Sequence, residues 1–410
     1  MSQHKPMISM ECIHGNVRFL KSENNIIYCE PILDQVYKES LIDDWHTMFG
    51  KIEAEAGQHI TLDIDWPTSC PGDAGEQYKK WNIAGWHPLN LACFADRFFF
   101  ISTDQLTWEK LTNITVKNNH IIIELDMPAD VAYISATYQY TYSMLTQLIR
   151  DVESSPYVKI LELCRGDDGE PMRLFRITDA SVDNTEKKHV FMEAGVHCTE
   201  TIGSHVIDSM IRFLCEGGHD ACELLKKTVY HLIPVVDVSA WRQGIQAGSC
   251  KNKLKNMNRD FGTFCSDETR SIDAYINAIR CGKDSIFLCD MHGGWPGTTD
   301  NPDTVASWFS ICSDLPTESL CLTDKIFDAL TDPRCSFIQR THGVRVNMQD
   351  MGATTMHGYF CRLGYNAFNI EMSYTTVYDS VVNALIPISK NPLWYAGRHL
   401  PQAFEKVFKK

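Results

Sequence analysis

Short segments rich in β-branched and aromatic residues dominate the first third of the chain. Three of them are HITLDID (59–65), DRFFFIST (96–103) and HIIIELDM (120–127). Prolines and glycines lie between the first two, as is typical of loops that separate strands. We therefore expect residues 1–136 to form a smaller N-terminal domain that resembles an antiparallel β-sandwich.

From about residue 137 the pattern changes to helices that alternate with short apolar runs. Residues 141–152 and 204–216 have their apolar positions at helical spacing, and residues 159–178 read as a hairpin with its turn at 166–169. This alternation predicts a second domain, residues 137–410, with an α/β fold in which helices flank a mixed, mostly parallel sheet. The apolar runs are HVFMEAGV (189–196), YHLIPVVDV (230–238), SIFLCDM (285–291) and NAFNIEMS (366–373).

Histidines and carboxylates follow or end three of these apolar runs. His197 and Glu200 come after the first, His292 comes after the third, and Glu371 lies near the end of the fourth. In sheets of this kind, ligands gather where strands end and loops begin. A helix that began at His197 would bring it and Glu200 to one side. Two histidines and one glutamate leave a coordination position open for water, as a catalytic zinc requires.

Each of these residues also has a simpler interpretation. The HxxE spacing is common by chance, and a histidine before two glycines is compatible with an ordinary turn. Glu371 lies in an apolar strand, where a charge is costly to bury unless it is paired, metal-bound or functional. A structural salt bridge is the alternative for this residue.

Taken in order, the motifs resemble those of the M14 family of zinc carboxypeptidases. The resemblance covers roughly residues 138–400. The N-terminal β-rich segment makes the chain look more like the cytosolic carboxypeptidases and their bacterial relatives than the secreted digestive enzymes. The segments that carry the resemblance are HVFMEAGVHCTETIGSHVIDSMIRFL, YHLIPVVDVSAWRQG, NMNRDF (256–261), IFLCDMHGGW and NIEMSY (369–374).

The resemblance implies a role for each matching residue. His197, Glu200 and His292 would hold one Zn²⁺ ion, and Glu371 would act as the general base that, together with zinc, activates a water. Asn258 and Arg259 would bind the C-terminal carboxylate of a peptide substrate. The implied reaction is hydrolysis of the C-terminal peptide bond, or of an isopeptide-like amide bond.

Some positions depart from the family pattern. The family has an arginine upstream of the Asn-Arg pair that polarises the scissile carbonyl, and here Arg242 is our candidate for this catalytic role, with Lys251 as the alternative. Asn256 stands where the family often has an aspartate that supports a zinc histidine. Met356 and Tyr359 are our candidates for contacts with the substrate side chain.

Composition narrows the range of partners. The net charge of -14 argues against a nucleic-acid-binding protein, which needs a basic face. The 16 cysteines are scattered without CxxC spacing, and the first residues lack a signal-peptide pattern, so we expect a reduced, cytoplasmic protein. No apolar stretch is long enough to span a membrane, and we expect no membrane partner.

Two other functions remain compatible with these residues. An amidohydrolase or deacylase could use the same zinc site on a small substrate that carries a carboxylate. A binding protein without catalytic activity could keep the fold. Arg259 favours the peptidase, and the presence of all three metal ligands together with Glu371 argues against the binding protein.

Overall fold

The computed structural model describes most of the chain, in the ranges given below. Among the described residues, no helix combines the length and apolar character needed to cross a membrane. The ten cysteines in the described part are all free thiols. The described residues are 5–32, 48–66, 99–118, 120–245, 256–294, 308–311, 325–326, 328–329, 345–347, 354–373, 376–379 and 384–408.

The N-terminal part contains two five-stranded sheets in the orders β1-β4-β10-β6-β7 and β2-β3-β5-β9-β8. Burial alternates along β5, so that Ile60, Leu62 and Ile64 face the core. The strands are β1 (Met7–Ser9), β2 (Val17–Glu23), β3 (Ile26–Pro31), β4 (Phe49–Glu53), β5 (His59–Asp65), β6 (Phe100–Ser102), β7 (Glu109–Lys110), β8 (Ile114–Lys117), β9 (His120–Asp126) and β10 (Val131–Ser135).

One strand pair in these sheets departs from the antiparallel arrangement that the sequence predicts. β3 and β5 pair in parallel, with Ile26 opposite Thr61, whereas the other pairs within the two sheets are antiparallel. The reason is the connection, because β4 lies between β3 and β5 in sequence but belongs to the other sheet. The chain therefore crosses to that sheet and returns in its original direction.

The second part of the chain is built on an eight-stranded sheet with helices around it. The strands are β11 (Val158–Arg165), β12 (Pro171–Ile177), β13 (Lys188–Ala194), β14 (Thr228–Ile233), β15 (Ile286–Gly294), β16 (Trp308–Ile311), β17 (Arg345–Asn347) and β18 (Asn366–Ser373), followed by the separate hairpin β19 (Thr376–Asp379) and β20 (Ala384–Pro387). The helices are α1 (Tyr142–Val152), α2 (Thr201–Cys215), α3 (His219–Leu225), α4 (Val238–Arg242), α5 (Asp267–Ala278), α6 (Met356–Arg362) and α7 (Lys390–Phe408), with 3₁₀ turns at Met257–Arg259 and Lys283–Ser285.

The order of the large sheet is β11-β12-β14-β13-β15-β18-β16-β17. Its central strands β14, β13, β15 and β18 run parallel, and β16 and β17 form a further parallel pair. The remaining pairs, β11 with β12, β12 with β14, and β16 with β18, are antiparallel. The prediction of a mixed, mostly parallel sheet flanked by helices is therefore confirmed.

Helices cover both faces of this sheet. α2 and α7 lie on one face, where Gly203 allows α2 to approach Met291 closely and Phe404 packs on Phe287. α5 and α6 belong to the other face, because Tyr275 of α5 contacts His231 of β14. The central strands are therefore buried on both faces, which explains their continuous apolar runs.

A buried histidine joins the N-terminal sheets to the second part of the chain. His14 Nε2 accepts a hydrogen bond from the Tyr142 backbone N–H at 3.0 Å, so its Nδ1 carries the proton and donates to the Trp241 carbonyl at 2.7 Å. Burial lowers the pKa of His14 to about 4, and the ring is neutral at pH 7. Both ring nitrogens are satisfied without a buried charge.

The contact between α7 and α2 should be sensitive to a single methyl group. A Cβ at Gly397 would lie 2.5 Å from the Val206 carbonyl oxygen and 2.6 Å from Ser209 Cβ. We expect Gly397→Ala to lower the free energy of unfolding by about 1–3 kcal/mol through overpacking, despite the higher helix propensity of alanine. Urea denaturation of Gly397→Ala measures this change. Gly282→Ala is the control, because a Cβ there meets nothing within 4 Å, and equal stability of the two variants would contradict the expectation.

Candidate metal centre

The predicted site residues lie at the carboxyl ends of three neighbouring parallel strands. After β13 the chain turns at Gly195, whose φ of +70° favours glycine and which approaches Val235 closely. His197 and Glu200 follow in a turn closed by a hydrogen bond from the Glu200 N–H to the His197 carbonyl at 3.1 Å. α2 begins only at Thr201, so a turn before the helix, and not the helix itself, brings the two side chains together.

The three predicted metal ligands converge in the structure. Glu200 Oε1 lies 2.8 Å from His197 Nδ1, and Glu200 Oε2 lies 2.8 Å from His292 Nδ1. One ligand atom from each of the three residues lies within 4.8 Å of the others. The Gly293 N–H also donates to Glu200 Oε2 at 2.7 Å, which fixes the carboxylate. The strand β15 thus contributes both a ligand and a support for another ligand.

The outer nitrogen of each imidazole faces an oxygen atom. His197 Nε2 lies 3.0 Å from Asn256 Oδ1, and His292 Nε2 lies 2.9 Å from Asp290 Oδ2, with the Asn258 amide nitrogen 3.1 Å away. Such oxygens favour the tautomer with the proton on Nε2, which leaves each Nδ1 lone pair directed at the centre. Two oriented imidazoles and a carboxylate fit the donor set of a catalytic Zn²⁺ site. Asn256 holds the ring as the sequence suggested.

The electrostatics of the cluster show that it is built to hold positive charge. Burial alone would raise the pKa of Glu200, but His197 and His292 lower it well below its usual range. Burial alone would lower the pKa of His292, but the carboxylates of Asp290 and Glu200 raise it well above its usual value. Without a metal the cluster therefore favours a proton on His292, and a divalent cation would compete for the same place.

Glu371 lies next to this cluster on β18. In the parallel pairing of β15 and β18 its Cα is the partner of His292, and its Oε1 accepts a hydrogen bond from Asn369 Nδ2 at 2.9 Å. Burial raises the pKa of Glu371 to about 7, while His292 acts in the opposite direction. A cation held by the cluster would also lower this pKa. Glu371 is therefore a carboxylate that can both accept and release a proton near neutral pH.

Arg259 brings a guanidinium close to the same cluster. It ends the 3₁₀ turn Met257–Arg259, and Asp260 anchors the following loop by accepting hydrogen bonds from the Cys265 and Ser266 N–H groups. The Arg259 Nη1 donates to the Asn258 carbonyl at 2.7 Å, and burial lowers the pKa of this arginine. Among the described residues no carboxylate forms an ion pair with it.

The other predicted site residues have contacts elsewhere or lie outside the described residues. Arg242 Nη1 pairs with Asp168 Oδ2 at 2.6 Å, and its guanidinium lies 5.0 Å from the ring centre of Tyr142. Lys251 is not among the described residues. Met356 is 0% exposed in the core, which favours a packing role. Tyr359 is half-buried and packs on Phe261, Phe264 and Phe360.

Three buried polar residues beneath the cluster were not assigned from the sequence. Glu193 is opposite Asp290 in the register of β13 and β15, and burial, followed by the charge of Asp290, raises the pKa of Glu193 well above its usual range. His357 of α6 lies near Asp290, His292 and Arg259, and burial lowers its pKa to about 4. Among the described residues, neither the Glu193 carboxyl nor the His357 ring has a hydrogen-bond partner.

Only Asp290 had a usable sequence signal. It lies two residues before His292, and alternate residues of a strand face the same side. Glu193 lies within β13, but the turn at Gly195 separates it from His197, so strand alternation does not relate the two residues. Nothing in the sequence around His357 indicates that α6 directs it toward the cluster.

Comparison with known proteins relates the fold and the site to the zinc carboxypeptidases. Residues 145–284 match the family model for the M14 zinc carboxypeptidases. Cytosolic carboxypeptidase 2 of Danio rerio is 26% identical over 265 residues, which are 62% of this chain and 35% of that protein. Cytosolic carboxypeptidase 3 of Mus musculus is 22% identical over 256 residues, 60% of this chain and 25% of that protein. The chain thus spans about a third or less of these curated relatives.

Solved structures show the same fold over nearly the whole chain. The metallo-carboxypeptidase from Burkholderia cenocepacia superposes with a TM-score of 0.75 at 14% identity, covering 99% of both chains. A metallo-carboxypeptidase from Pseudomonas aeruginosa gives 0.75 at 14% identity, covering 98% of both chains. The chain is thus similar to the M14 zinc carboxypeptidases over residues 145–284, to the cytosolic carboxypeptidases, and in fold to bacterial metallo-carboxypeptidases.

Removal of one imidazole ligand should empty the metal centre. We expect His197→Ala to reduce bound zinc from about one ion per chain to a small fraction, because a two-ligand site binds Zn²⁺ far more weakly. Inductively coupled plasma mass spectrometry after dialysis measures the content. The exposed His219 provides the control variant His219→Ala, which should keep its zinc. Equal zinc in both variants would show that His197 is not a ligand.

The contact between Asn256 and the His197 ring should strengthen zinc binding. We expect Asn256→Ala to weaken zinc binding roughly 10–100-fold, the usual effect of losing a group that orients a ligand. Asn256→Asp should bind zinc at least as tightly as the wild type, since a carboxylate makes the imidazole a stronger base. Competition with a chromogenic chelator gives the three dissociation constants. Identical constants would mean that the contact at 3.0 Å does not act on the metal site.

Proposed function

We propose that this chain is a zinc-dependent metallocarboxypeptidase that hydrolyses the C-terminal peptide bond, or an isopeptide-like amide bond, of its substrate. One Zn²⁺ ion would be held by His197, Glu200 and His292. The observation that carries the proposal is the convergence of these ligand atoms within 4.8 Å, beside the carboxylate of Glu371 and the guanidinium of Arg259.

Glu371 is the proposed general base. Zn²⁺ at this site would lower the pKa of a bound water and polarise the carbonyl group that is attacked. Glu371 would accept the proton of the attacking water and return it to the leaving amine. Burial raises the pKa of Glu371 and a bound cation would lower it, and these opposing effects suit a group that must take and give a proton in one cycle. Its hydrogen bond with Asn369 holds one oxygen and leaves the other for the water.

Arg259 and Asn258 are the proposed anchors for the terminal carboxylate. A guanidinium can donate to both oxygens of a carboxylate at once, and this contact would restrict the enzyme to chain ends. Arg259 is suited to this role because it is half-buried near the cluster and has no carboxylate partner among the described residues. Met356 and Tyr359 remain our predicted contacts for the terminal side chain, although Met356 is packed in the core.

A basic residue would polarise the carbonyl group of the scissile bond. Arg242 is our candidate, and its ion pair with Asp168 would have to open for the guanidinium to reach a substrate. Lys251 is the alternative.

We also propose that the chain divides into an N-terminal β-sandwich-like domain, residues 1–136, and a catalytic domain, residues 137–410. The contact of Val17 in β2 with Gly50 in β4 supports a packing of the two N-terminal sheets against each other. A cytoplasmic location is consistent with the free thiols of the described cysteines and with the names of the curated relatives.

Mass spectrometry of a mixed peptide library, incubated with zinc-loaded protein, tests the function directly. We expect single residues to be lost from free C-termini, and C-terminally amidated peptides to remain intact because they lack the charge that Arg259 would bind. Glu371→Gln should bind zinc normally and lose turnover by roughly 10²- to 10⁴-fold, the usual contribution of a general acid–base group.

Two outcomes would contradict the proposal. Near-normal turnover by Glu371→Gln would exclude this residue as the base. Intact peptides after incubation with fully zinc-loaded wild-type protein would exclude a general carboxypeptidase and direct attention to modified substrates or to small acylated molecules.

A further inference from the structure

A second cluster of ionisable side chains lies at the opposite end of the central sheet. A cavity of about 470 Å³ there is lined by Arg176, His189, His231, Tyr275 and Arg280, among other residues. His189 stands at the beginning of β13, whereas the metal ligands follow its end. The proposed catalytic mechanism uses none of these side chains.

Strand register places three of these side chains on one face of the sheet. Arg176 of β12 is the partner of His231 on β14, and His231 is in turn the partner of Phe191 on β13. His189 is two residues before Phe191 and therefore points to the same side. α5 covers this face and adds Tyr275. The arrangement is thus fixed by the sheet and not by a surface loop.

The two histidines and the tyrosine form a continuous hydrogen-bonded chain. Tyr275 Oη lies 2.8 Å from His231 Nδ1, and His231 Nε2 lies 3.0 Å from His189 Nδ1, with the two imidazole rings stacked at 5.3 Å. Burial lowers the pKa of His189 to about 4 and that of His231 well below its usual value, so both are neutral. Neutral imidazole has one N–H, so all bonds in the chain run in one direction. His189 Nε2 is the free end.

The group bound beside His189 decides the direction of the hydrogen bonds that join Tyr275, His231 and His189. When the Tyr275 hydroxyl donates to His231, His231 donates to His189, and His189 Nε2 then carries a proton that it can donate into the cavity. A carboxylate oxygen or a deprotonated phosphate oxygen next to His189 would select this state, since such an oxygen accepts hydrogen bonds and cannot donate them. The chain therefore supplies an N–H donor without placing a charge on either buried ring.

Positive charge surrounds this donor. Among the described residues, no carboxylate pairs with Arg176 or Arg280, and Asp183 is the single acidic residue in the cavity lining. An adjoining cavity, also about 470 Å³, has a mixed lining of Lys187, Lys188, Lys226 and Lys227 with Asp183, Glu186 and Glu405. In a chain of net charge -14, two arginines against one aspartate give the cavity beside His189 a local excess of positive charge, which favours anions.

We propose that the cavity at the start of β13 is a binding site for a small organic anion, whose phosphate or carboxylate group is held by Arg176 and Arg280 with His189 Nε2 as a neutral donor. Guanidinium groups match the planar or trigonal oxygen pairs of both anions. The volume of about 470 Å³ lies in the range of small-molecule sites, so the ligand extends beyond its anionic group. This inference does not depend on the proposed peptidase activity.

Isothermal titration of the full-length, zinc-loaded protein with inorganic phosphate and with malonate tests the site. We expect Arg176→Gln to weaken binding of the preferred anion by about tenfold or more, as for a lost hydrogen bond to a charged group. Arg280→Gln should also weaken binding, and because Arg280 is exposed this variant should fold normally. Arg165→Gln on the neighbouring strand, where Arg165 pairs with Glu162, is the matched control and should bind as the wild type does.

The two probes separate the sources of the anionic group. Tighter binding of phosphate would assign a phosphorylated ligand, tighter binding of malonate would assign a carboxylate ligand, and either result supports the site. Absence of binding by both probes would overturn it. The proposal would also be overturned if Arg176→Gln and Arg280→Gln left anion binding unchanged while Arg259→Gln abolished it. The anion would then occupy the metal centre.

Discussion

The parallel pairing of β13, β15 and β18 is the constraint on which the site depends. Each strand is apolar along most of its length and polar at its carboxyl end, and parallel pairing brings these ends to one edge of the sheet. The register then sets individual neighbours, with Glu193 beside Asp290 and His292 beside Glu371. A shift by one residue would turn these side chains to the opposite face, against α2 and α7. The chemistry therefore depends on the apolar packing that fixes the register.

Concentrating these groups in a buried place carries an electrostatic cost. Glu193 is the register neighbour of Asp290, Glu371 is that of His292, and burial disfavours the charged forms of Glu193 and Glu371. The cost is reduced in two ways: Glu193 stays neutral, and Asp290 and Glu200 share the charge of His292. A bound divalent cation would offset more of it. Such a site is more stable with its metal than without it, which links metal binding to the stability of the sheet edge.

The pattern of apolar and polar residues along the chain was sufficient to predict the strands and the site residues at their ends. The four apolar runs became β13, β14, β15 and β18, and the ligands at their ends converged because strand ends converge in a parallel sheet. The pattern could not show that β3 and β5 pair in parallel, since this follows from β4 joining another sheet. Nor could it show that Asp168 pairs with Arg242, or that α6 brings His357 to the cluster, because these contacts join distant segments.

Histidines at the two ends of the central strands lie in opposite electrostatic surroundings on one face of the sheet. At the carboxyl end, the carboxylates of Asp290 and Glu200 favour positive charge at His292 and raise its pKa in the absence of a metal, because they outweigh the effect of burial. At the amino end, no carboxylate among the described residues pairs with His189 or His231, and burial together with the charge of Arg176 lowers the pKa of both. The charges around these histidines thus favour a bound cation at one edge of the sheet and a bound anion at the other. The difference arises from the charges that neighbouring strands place beside each ring, and not from the strand that carries it.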